Sequence, residues 1–105
     1  MSQTAYGSLI RESGNRLTAS FTIDGRAYNF PATVSPSLPA FTTNNTKLKY
    51  DDLDQLTSTR TFSGQIGTTT FKLTFNNGPI IDGDLNQPGV VPAASVNGNG
   101  VWEGS

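Results

Sequence analysis

Carboxylates in two short segments are the side chains of this sequence best suited to bind a metal ion. Asp82 and Asp84 stand two residues apart, as oxygen donors do at the start of a helix-flanked calcium loop. The rest of that motif is missing, because Gln87 and Ala93 occupy the positions of its glycine and its bidentate glutamate. A looser site would have to recruit residues 51–54 as well. We therefore predict no metal site and no cofactor, with a weak calcium site beside Asp82 and Asp84 as the open alternative.

The residue types that most enzymes use for catalysis are missing from this chain. It contains no Cys and no His, which removes thiol nucleophiles, ordinary zinc sites and Ser-His-Asp triads. Hydrolysis of a sugar bond would need two facing carboxylates, one of them with a pKa raised by burial. Nothing in the sequence indicates that any carboxylate is buried. We therefore predict that the protein is not an enzyme.

Aromatic and amide side chains offer a different chemistry, the binding of a sugar. Tyr50 and Trp102 lie in or beside segments rich in Asn, Asp, Thr and Gly. A sugar stacks its C–H face on an aromatic ring and exchanges hydrogen bonds with neighbouring amides and carboxylates. The sequence thus favours a lectin-like module with a glycan as its ligand. The predicted loop-end site consists of Trp102, Tyr50, Asn44, Asn45, Asn97 and Asn99.

Two other kinds of binding protein are open alternatives. A strand edge at Val101-Trp102 would suit an adaptor, an inhibitor or an assembly subunit, because an open edge accepts a further strand. A barrel of about eight strands can also enclose a small apolar ligand, and Tyr6, Tyr28 and Phe30 would line its interior. A homo-oligomer fits the lectin and assembly interpretations, since weak single sites gain strength when several bind together.

Composition restricts the partners further. Seven Lys and Arg residues against eight Asp and Glu residues give a net charge of −1, so the chain lacks the basic field that a nucleic-acid backbone requires. No apolar run approaches the roughly 20 residues of a membrane helix, and residues 1–7 lack the basic start and the apolar stretch of a secretory signal. We predict neither a nucleic-acid partner nor a membrane span. The compartment stays open between the cytoplasm and a processed secreted chain.

Alternating apolar and polar residues, bounded by Gly, Asn and Asp, recur along the chain and predict an all-β fold. One hairpin joins residues 16–23 to the next strand through Asp24-Gly25, which suits a two-residue type I′ turn. Pairing Ile23 with Arg26 then points the apolar residues of both strands to the same face.

The strand before this hairpin has two possible registers. A two-residue turn after Ser13 turns Tyr6 and Ile10 towards the core. A three-residue loop would instead turn Leu9 inward, and Arg11 with it. We expect the first register, because it buries more apolar surface and no charge.

A second meander follows a long connection, a short strand at residues 46–50 and a single helical turn within residues 51–57. A two-residue turn after Ile66 would pair that residue with Thr69. A three-residue loop at residues 76–78 keeps the carboxylates beyond it in water, whereas a two-residue loop would bury them at a cost of several kcal/mol.

The end of the chain completes the predicted fold. The glycine-rich residues 97–100 are expected to turn, so that Val101-Trp102 closes the sheet. The fold class is therefore a small antiparallel β-barrel or β-sandwich of about seven to nine strands, built from two hairpin meanders. We expect residues 1–105 to form a single domain.

Overall fold

Nine strands lie in the part of the chain that the computed structural model describes, residues 3–86 and 89–104. The predicted all-β class is confirmed, and a short 3₁₀ turn, Leu53–Gln55, stands where the single helical turn is expected. The strands are β1 (Gln3–Ser13), β2 (Arg16–Ile23), β3 (Arg26–Ser35), β4 (Thr43–Tyr50), β5 (Thr59–Ile66), β6 (Thr70–Phe75), β7 (Ile80–Leu85), β8 (Ala94–Val101) and β9 (Glu103–Gly104).

A single antiparallel sheet closes on itself to form a barrel. The order around the ring is β2-β1-β4-β7-β6-β5-β8-β3, and β3 pairs with β2 again. The short β9 adds to the start of β3 as an extra strand. The two predicted meanders, β1-β2-β3 and β5-β6-β7, are both present. The barrel is thus selected over the sandwich, because eight strands form one continuous ring of paired neighbours.

Aromatic rings fill one part of the barrel interior. Phe30 packs with its ring centroid 4.9 Å from that of Phe75 and 4.8 Å from that of Trp102, and Phe62 lies 5.8 Å from Phe75. An eight-stranded barrel is just wide enough for its own side chains. The remaining space between the inward side chains is about 10 Å³, so the interior of the barrel is a packed core.

The first predicted hairpin has the register that its turn indicates. Ile23 pairs with Arg26 and Phe21 with Tyr28, and the pairing continues in step as far as Arg16. The residues that point inward from β2 are buried. The loop at residues 76–78 also has the predicted length, since Leu73 pairs with Ile81 and Gly78 adopts a φ of 118°. Both turns contain residues that tolerate a positive φ, namely Asp24 and Gly25 in the first and Gly78 in the second.

The predicted orientation of β1 is wrong. Ser13 does pair with Arg16, as the two-residue turn requires, but a β-bulge between Arg11 and Ser13 shifts the register before it. A bulge places one extra residue in one strand, and the side chains beyond it change faces. Leu9 is therefore buried, whereas Tyr6 and Ile10 are 71% and 55% exposed on the outer face.

The energetic cost of turning the charged Arg11 inward is reduced by hydrogen bonds to the backbone. Arg11 donates hydrogen bonds from Nε and Nη2 to the carbonyl oxygen of Leu38, at 3.0 and 2.8 Å. Its guanidinium thus keeps hydrogen-bond partners at the rim of the barrel, in the long connection between β3 and β4. A charged group that retains hydrogen bonds at a rim costs far less than one buried without them.

Two further expectations about the second half of the chain are corrected. Ile66 pairs with Phe71 and not with Thr69, and the loop between β5 and β6 comprises the three residues 67–69. This shift by two residues keeps every side chain on its predicted face. Residues 97–100 do not turn, since they lie within β8 and pair with both β3 and β5. Gly98 points inward there, where a Cβ atom would overlap the carbonyl oxygen of Thr33.

Candidate functional site

One pair of neighbouring strands in the ring separates at one end. β1 pairs with β2 only from Gly7 to Ser13, and its first residues pair with β4 alone, Gln3 with Tyr50 and Gly7 with Thr46. β2 pairs with β3 along its whole length. Before Gly7, therefore, β1 follows β4 while β2 follows β3, and a cleft opens between them.

The cleft has three walls and a volume of about 610 Å³. Residues 3–6 of β1 form one wall, residues 22–24 at the tip of the first hairpin form the second, and residues 50–53 after β4 form the third. Ligand sites for small molecules commonly occupy about 300–1,000 Å³. The cleft is open to solvent along its length, so it suits an elongated ligand that remains partly exposed.

Local hydrogen bonds hold the third wall in place. Asp52 caps the 3₁₀ turn by accepting a hydrogen bond from the backbone N–H of Asp54, and Gln55 accepts hydrogen bonds from the backbone N–H groups of Asp51 and Asp52 at 2.8 and 3.1 Å. Gln55 also exchanges side-chain to backbone hydrogen bonds with Asn77 at 2.9 and 3.1 Å. This capping box fixes the wall against the loop between β6 and β7.

The charged residues that line the cleft are all acidic. They are Asp24 in the hairpin turn and Asp51 and Asp52 after β4. The side chains of Asp24 and Asp51 make no hydrogen bond or ion pair within residues 3–86 and 89–104. The cleft therefore presents free carboxylates at two of its walls, where they attract positive charge.

Two tyrosines contribute differently to the cleft. Tyr6 is 71% exposed on β1, whereas Tyr50 is only 9% exposed at the barrel mouth. Burial raises the pKa of Tyr50, and the nearby charge of Asp24 and the hydroxyl of Tyr28 add to this effect. Tyr50 is thus held in its neutral form, and its hydroxyl has no hydrogen-bond partner in the described part of the chain.

The structure does not bring the six predicted site residues together. Tyr50 is the member that lines the cleft. Trp102 is 5% exposed and packs against Phe30 and Phe75, and its Nε1 has no hydrogen-bond partner in the described structure. It is a core residue, because its ring faces are covered by other rings.

The four predicted asparagines lie on opposite sides of the barrel. Asn44 and Asn45 are exposed at the start of β4, and Asn97 and Asn99 are exposed on the outer face of β8. Three strands separate β4 from β8 in either direction around the ring. The proposed loop-end sugar site is therefore not assembled from these residues.

The geometry also bears on the two alternatives to a lectin. Val101 pairs with Thr59, and the backbone N–H of Trp102 donates to the carbonyl oxygen of Ser58 at 3.1 Å, so this segment is joined to its neighbour and presents no open edge on that side. The cavity among the inward side chains is about 10 Å³, which has room for about one water at most and none for an apolar ligand. Tyr6 is outside the barrel, so it cannot line the interior.

The sequence predicts only a turn at Asp24 and does not indicate it as a site residue. It places Tyr6 inside the barrel, and it offers Asp51 only for a looser calcium site, so the cleft that brings the three together was not predicted. The available signal was Gly7, since a Cβ atom there would overlap the carbonyl oxygen of Ser20. A glycine at an inward position marks a place where two backbones approach closely. Gly7 is also the residue of β1 nearest the cleft that still pairs with β2.

The second acidic segment is engaged with other side chains of the outer wall. Asp82 lies 3.6 Å from Lys47 Nζ and 3.9 Å from Lys49 Nζ, and Asp84 accepts a hydrogen bond from Asn45 at 3.1 Å. A search of the described residues finds no group of three acidic, His or Cys side chains placed to hold a metal ion. These carboxylates stabilise the pairing of β4 and β7.

Comparisons with protein-family models, with curated proteins and with solved structures find no match for this chain. Within the described residues, no helix has the length and apolar character needed to cross a membrane.

Proposed function

We propose that the protein is a non-catalytic binding module that holds an extended polypeptide segment in the cleft between β1 and β2. The observation that supports this proposal is the strand pairing, because residues 3–6 of β1 have a partner strand on the β4 side alone. The sequence already offered strand addition at an open edge as an alternative function, but it placed that edge at Val101-Trp102. We place it at the start of β1.

An open strand edge is a binding surface for another strand. A strand presents its backbone N–H and C=O groups alternately to its two sides, so part of these groups in residues 3–6 face the cleft. An added segment satisfies them by the same ladder that joins the strands of the barrel. Proteins usually block such an edge with Lys, Pro or a bulge, and residues 3–6 contain none of these devices.

The length of the edge sets the expected affinity. Four residues span about 13 Å at the rise of an antiparallel strand, so a bound segment forms only a few ladder hydrogen bonds. Each contributes about 0.5–1.5 kcal/mol net, and the remaining affinity comes from side chains in the cleft. We expect a single segment to bind with a Kd of the order of 10 μM to 1 mM, which is typical of small interfaces.

Glycan binding is a second candidate function. Its site would be the same cleft instead of the loop-end site that the sequence predicted. The observation that favours it is the 71% exposed ring of Tyr6 beside the carboxylates of Asp24 and Asp51. A sugar ring stacks on such an aromatic face and accepts or donates hydrogen bonds at its edge. A sugar has no amide backbone, however, so it leaves the open strand edge of β1 without a ladder partner.

A displayed library of short random peptides, selected against the protein, tests the first proposal. Binding of the selected peptides is then measured on Tyr6→Ala and on Ile10→Ala, which also removes an exposed apolar side chain from the outer face of β1 but lies outside the cleft. We expect at least a tenfold loss for the first variant and no change for the second. Amide resonances of residues 3–6 should shift on binding and exchange with solvent more slowly.

Three outcomes would count against the proposal. Selected peptides that bind equally well to both variants would place the site elsewhere. A glycan array with binding that Tyr6→Ala abolishes, together with no peptide binding, would favour the sugar candidate. Sedimentation that shows self-association lost in Tyr6→Ala would show that a second copy of the chain occupies the edge.

A further inference from the structure

We propose that the segment held in the cleft carries Arg or Lys side chains, and that Asp24, Asp51 and the Tyr50 hydroxyl select them. This inference rests on the proposed function, since it specifies the class of polypeptide that the same cleft takes. Three features support it: the placement of the acidic side chains, the hydroxyl of the largely buried Tyr50 at the cleft, and an exposed aromatic ring.

The acidic side chains stand on both sides of the open edge. Asp24 lies across the cleft at the hairpin tip, and Asp51 follows Tyr50, which pairs with Gln3 at the start of β1. A segment added to β1 therefore runs between two carboxylates. Every charged residue of the lining is acidic, so a segment that carries positive charge gains attraction on both sides, and an acidic segment is repelled.

Tyr50 supplies an independent reason to expect a hydrogen-bonding ligand at this place. Its side chain is 91% buried, since 9% remains exposed, and it lines the cleft beside Asp24. Its hydroxyl makes no hydrogen bond to any described residue. The hydroxyl oxygen is not among the fully buried polar atoms that lack a partner, so solvent in the cleft reaches it, and a ligand group can replace that solvent. An Arg or Lys N–H group is a suitable donor to the neutral phenol oxygen.

Tyr6 completes the recognition of a guanidinium group. Its ring is exposed on the wall formed by β1. An Arg side chain stacks on an aromatic face while it donates hydrogen bonds to a nearby carboxylate. Successive side chains of an extended segment point to opposite faces, so Arg residues at every second position would all reach the same face.

A second β1 does not meet this requirement, because residues 3–6 carry no basic side chain.

The test uses synthetic peptides of about six residues, the length of a typical strand, with Arg and Val in alternation. A matched peptide replaces each Arg by citrulline, which keeps the shape and loses the charge. A third peptide keeps Arg and carries N-methyl groups on alternate amides, which removes ladder hydrogen bonds. Binding is measured by fluorescence anisotropy at low and high salt. We expect the Arg peptide to bind at least tenfold more tightly than the citrulline peptide at low salt, with a smaller ratio at high salt.

Variants of the protein identify the groups responsible. The double variant Asp24→Asn with Asp51→Asn should lose most of the preference for the Arg peptide over the citrulline peptide. Asp54→Asn, which neutralises an exposed acid outside the cleft lining, should keep that preference. Tyr50→Phe should weaken the Arg and citrulline peptides by a similar factor, because citrulline keeps N–H donors, so this variant measures the hydrogen bond separately from the charge.

The outcomes separate this inference from the proposed function. Equal binding of the Arg and citrulline peptides to the unmodified protein would overturn the inference and leave strand addition intact. Equal binding of the Arg peptide and its N-methylated form would overturn strand addition, because charge alone would then account for the affinity. Absence of binding by all three peptides would overturn both.

Discussion

Gly98→Ala distinguishes a strand in the barrel wall from the turn that the glycine-rich residues 97–100 suggest. Gly98 is not among the described residues with a positive φ, so its backbone conformation is open to Ala. In an exposed turn of this kind, replacing Gly by Ala would stabilise the protein by about 0.4–1 kcal/mol, because the unfolded chain loses freedom. The structure predicts a change of opposite sign.

The predicted magnitude follows from what surrounds Gly98. A Cβ atom there would overlap the carbonyl oxygen of Thr33 and lie 3.0 Å from the Phe62 ring. Gly98 pairs with Val34 within the four residue pairs that join β8 to β3. Overpacking costs about 1–3 kcal/mol, and one weakened ladder hydrogen bond adds about 1 kcal/mol. We expect a loss of about 3 kcal/mol and a Tm lower by about 12–20 °C.

Urea denaturation followed by Trp102 fluorescence measures this change, because Trp102 is the single tryptophan and its ring is buried beside Phe30. Asn99→Ala is the matched control, since Asn99 lies one position further on the outer face of the same strand and should change stability by less than about 0.5 kcal/mol. Unchanged or increased stability of Gly98→Ala would refute the close approach of β8 to β3.

Two further predictions concern the barrel rim and the cleft. Arg11→Ala removes the two hydrogen bonds to Leu38 and should lower the unfolding free energy by about 1.5–2 kcal/mol. The control Arg16→Ala, at an exposed position, should lower it by less than about 0.5 kcal/mol. Equal effects of the two variants would contradict the capping role of Arg11. The raised pKa of Tyr50 means that the folded state keeps its proton longer than the unfolded state, so stability is complete below pH 10 and falls as the pH rises above it. Tyr50→Phe should remove that part of the fall in unfolding free energy, as measured by urea denaturation over a series of alkaline pH values.

Local pattern and turn chemistry account for the parts of the fold that the sequence predicts. The hairpin through Asp24-Gly25 and the loop at residues 76–78 each involve neighbours in the chain, and in each case only one register buries the apolar face. The strand faces of β5 and β6 are correct even though the loop after Ile66 is longer than predicted, because an even shift in register preserves the faces.

The barrel closes through pairing between strands that are far apart in the sequence, which a local residue pattern cannot predict. The ring is completed where β8 pairs with β3, which joins Gly100 to Ala32 and Asn97 to Ser35. The residues of β8 resemble a turn because Gly and Asn alternate there. Their glycines serve a different purpose, since inward positions opposite large rings have room only for hydrogen. The sequence therefore left both the barrel and the sandwich open, and its short sequential hairpins favoured the barrel only slightly.

The site escaped prediction because it arises where β1 departs from regular pairing. Apolar burial and the charge of Arg11 both favoured a β1 with Tyr6 and Ile10 inside, and each argument was sound for a strand without a bulge. The interior, however, already holds Phe21 against Gly7, where a Cβ atom would lie 2.7 Å from the Phe21 ring. A large side chain at position 7 of β1 has no space in that layer, so the face with Ala5 and Gly7 turns inward and Tyr6 faces out. The crowding that fills the core is thus the cause of the exposed ring, and the ring lies where β1 and β2 separate.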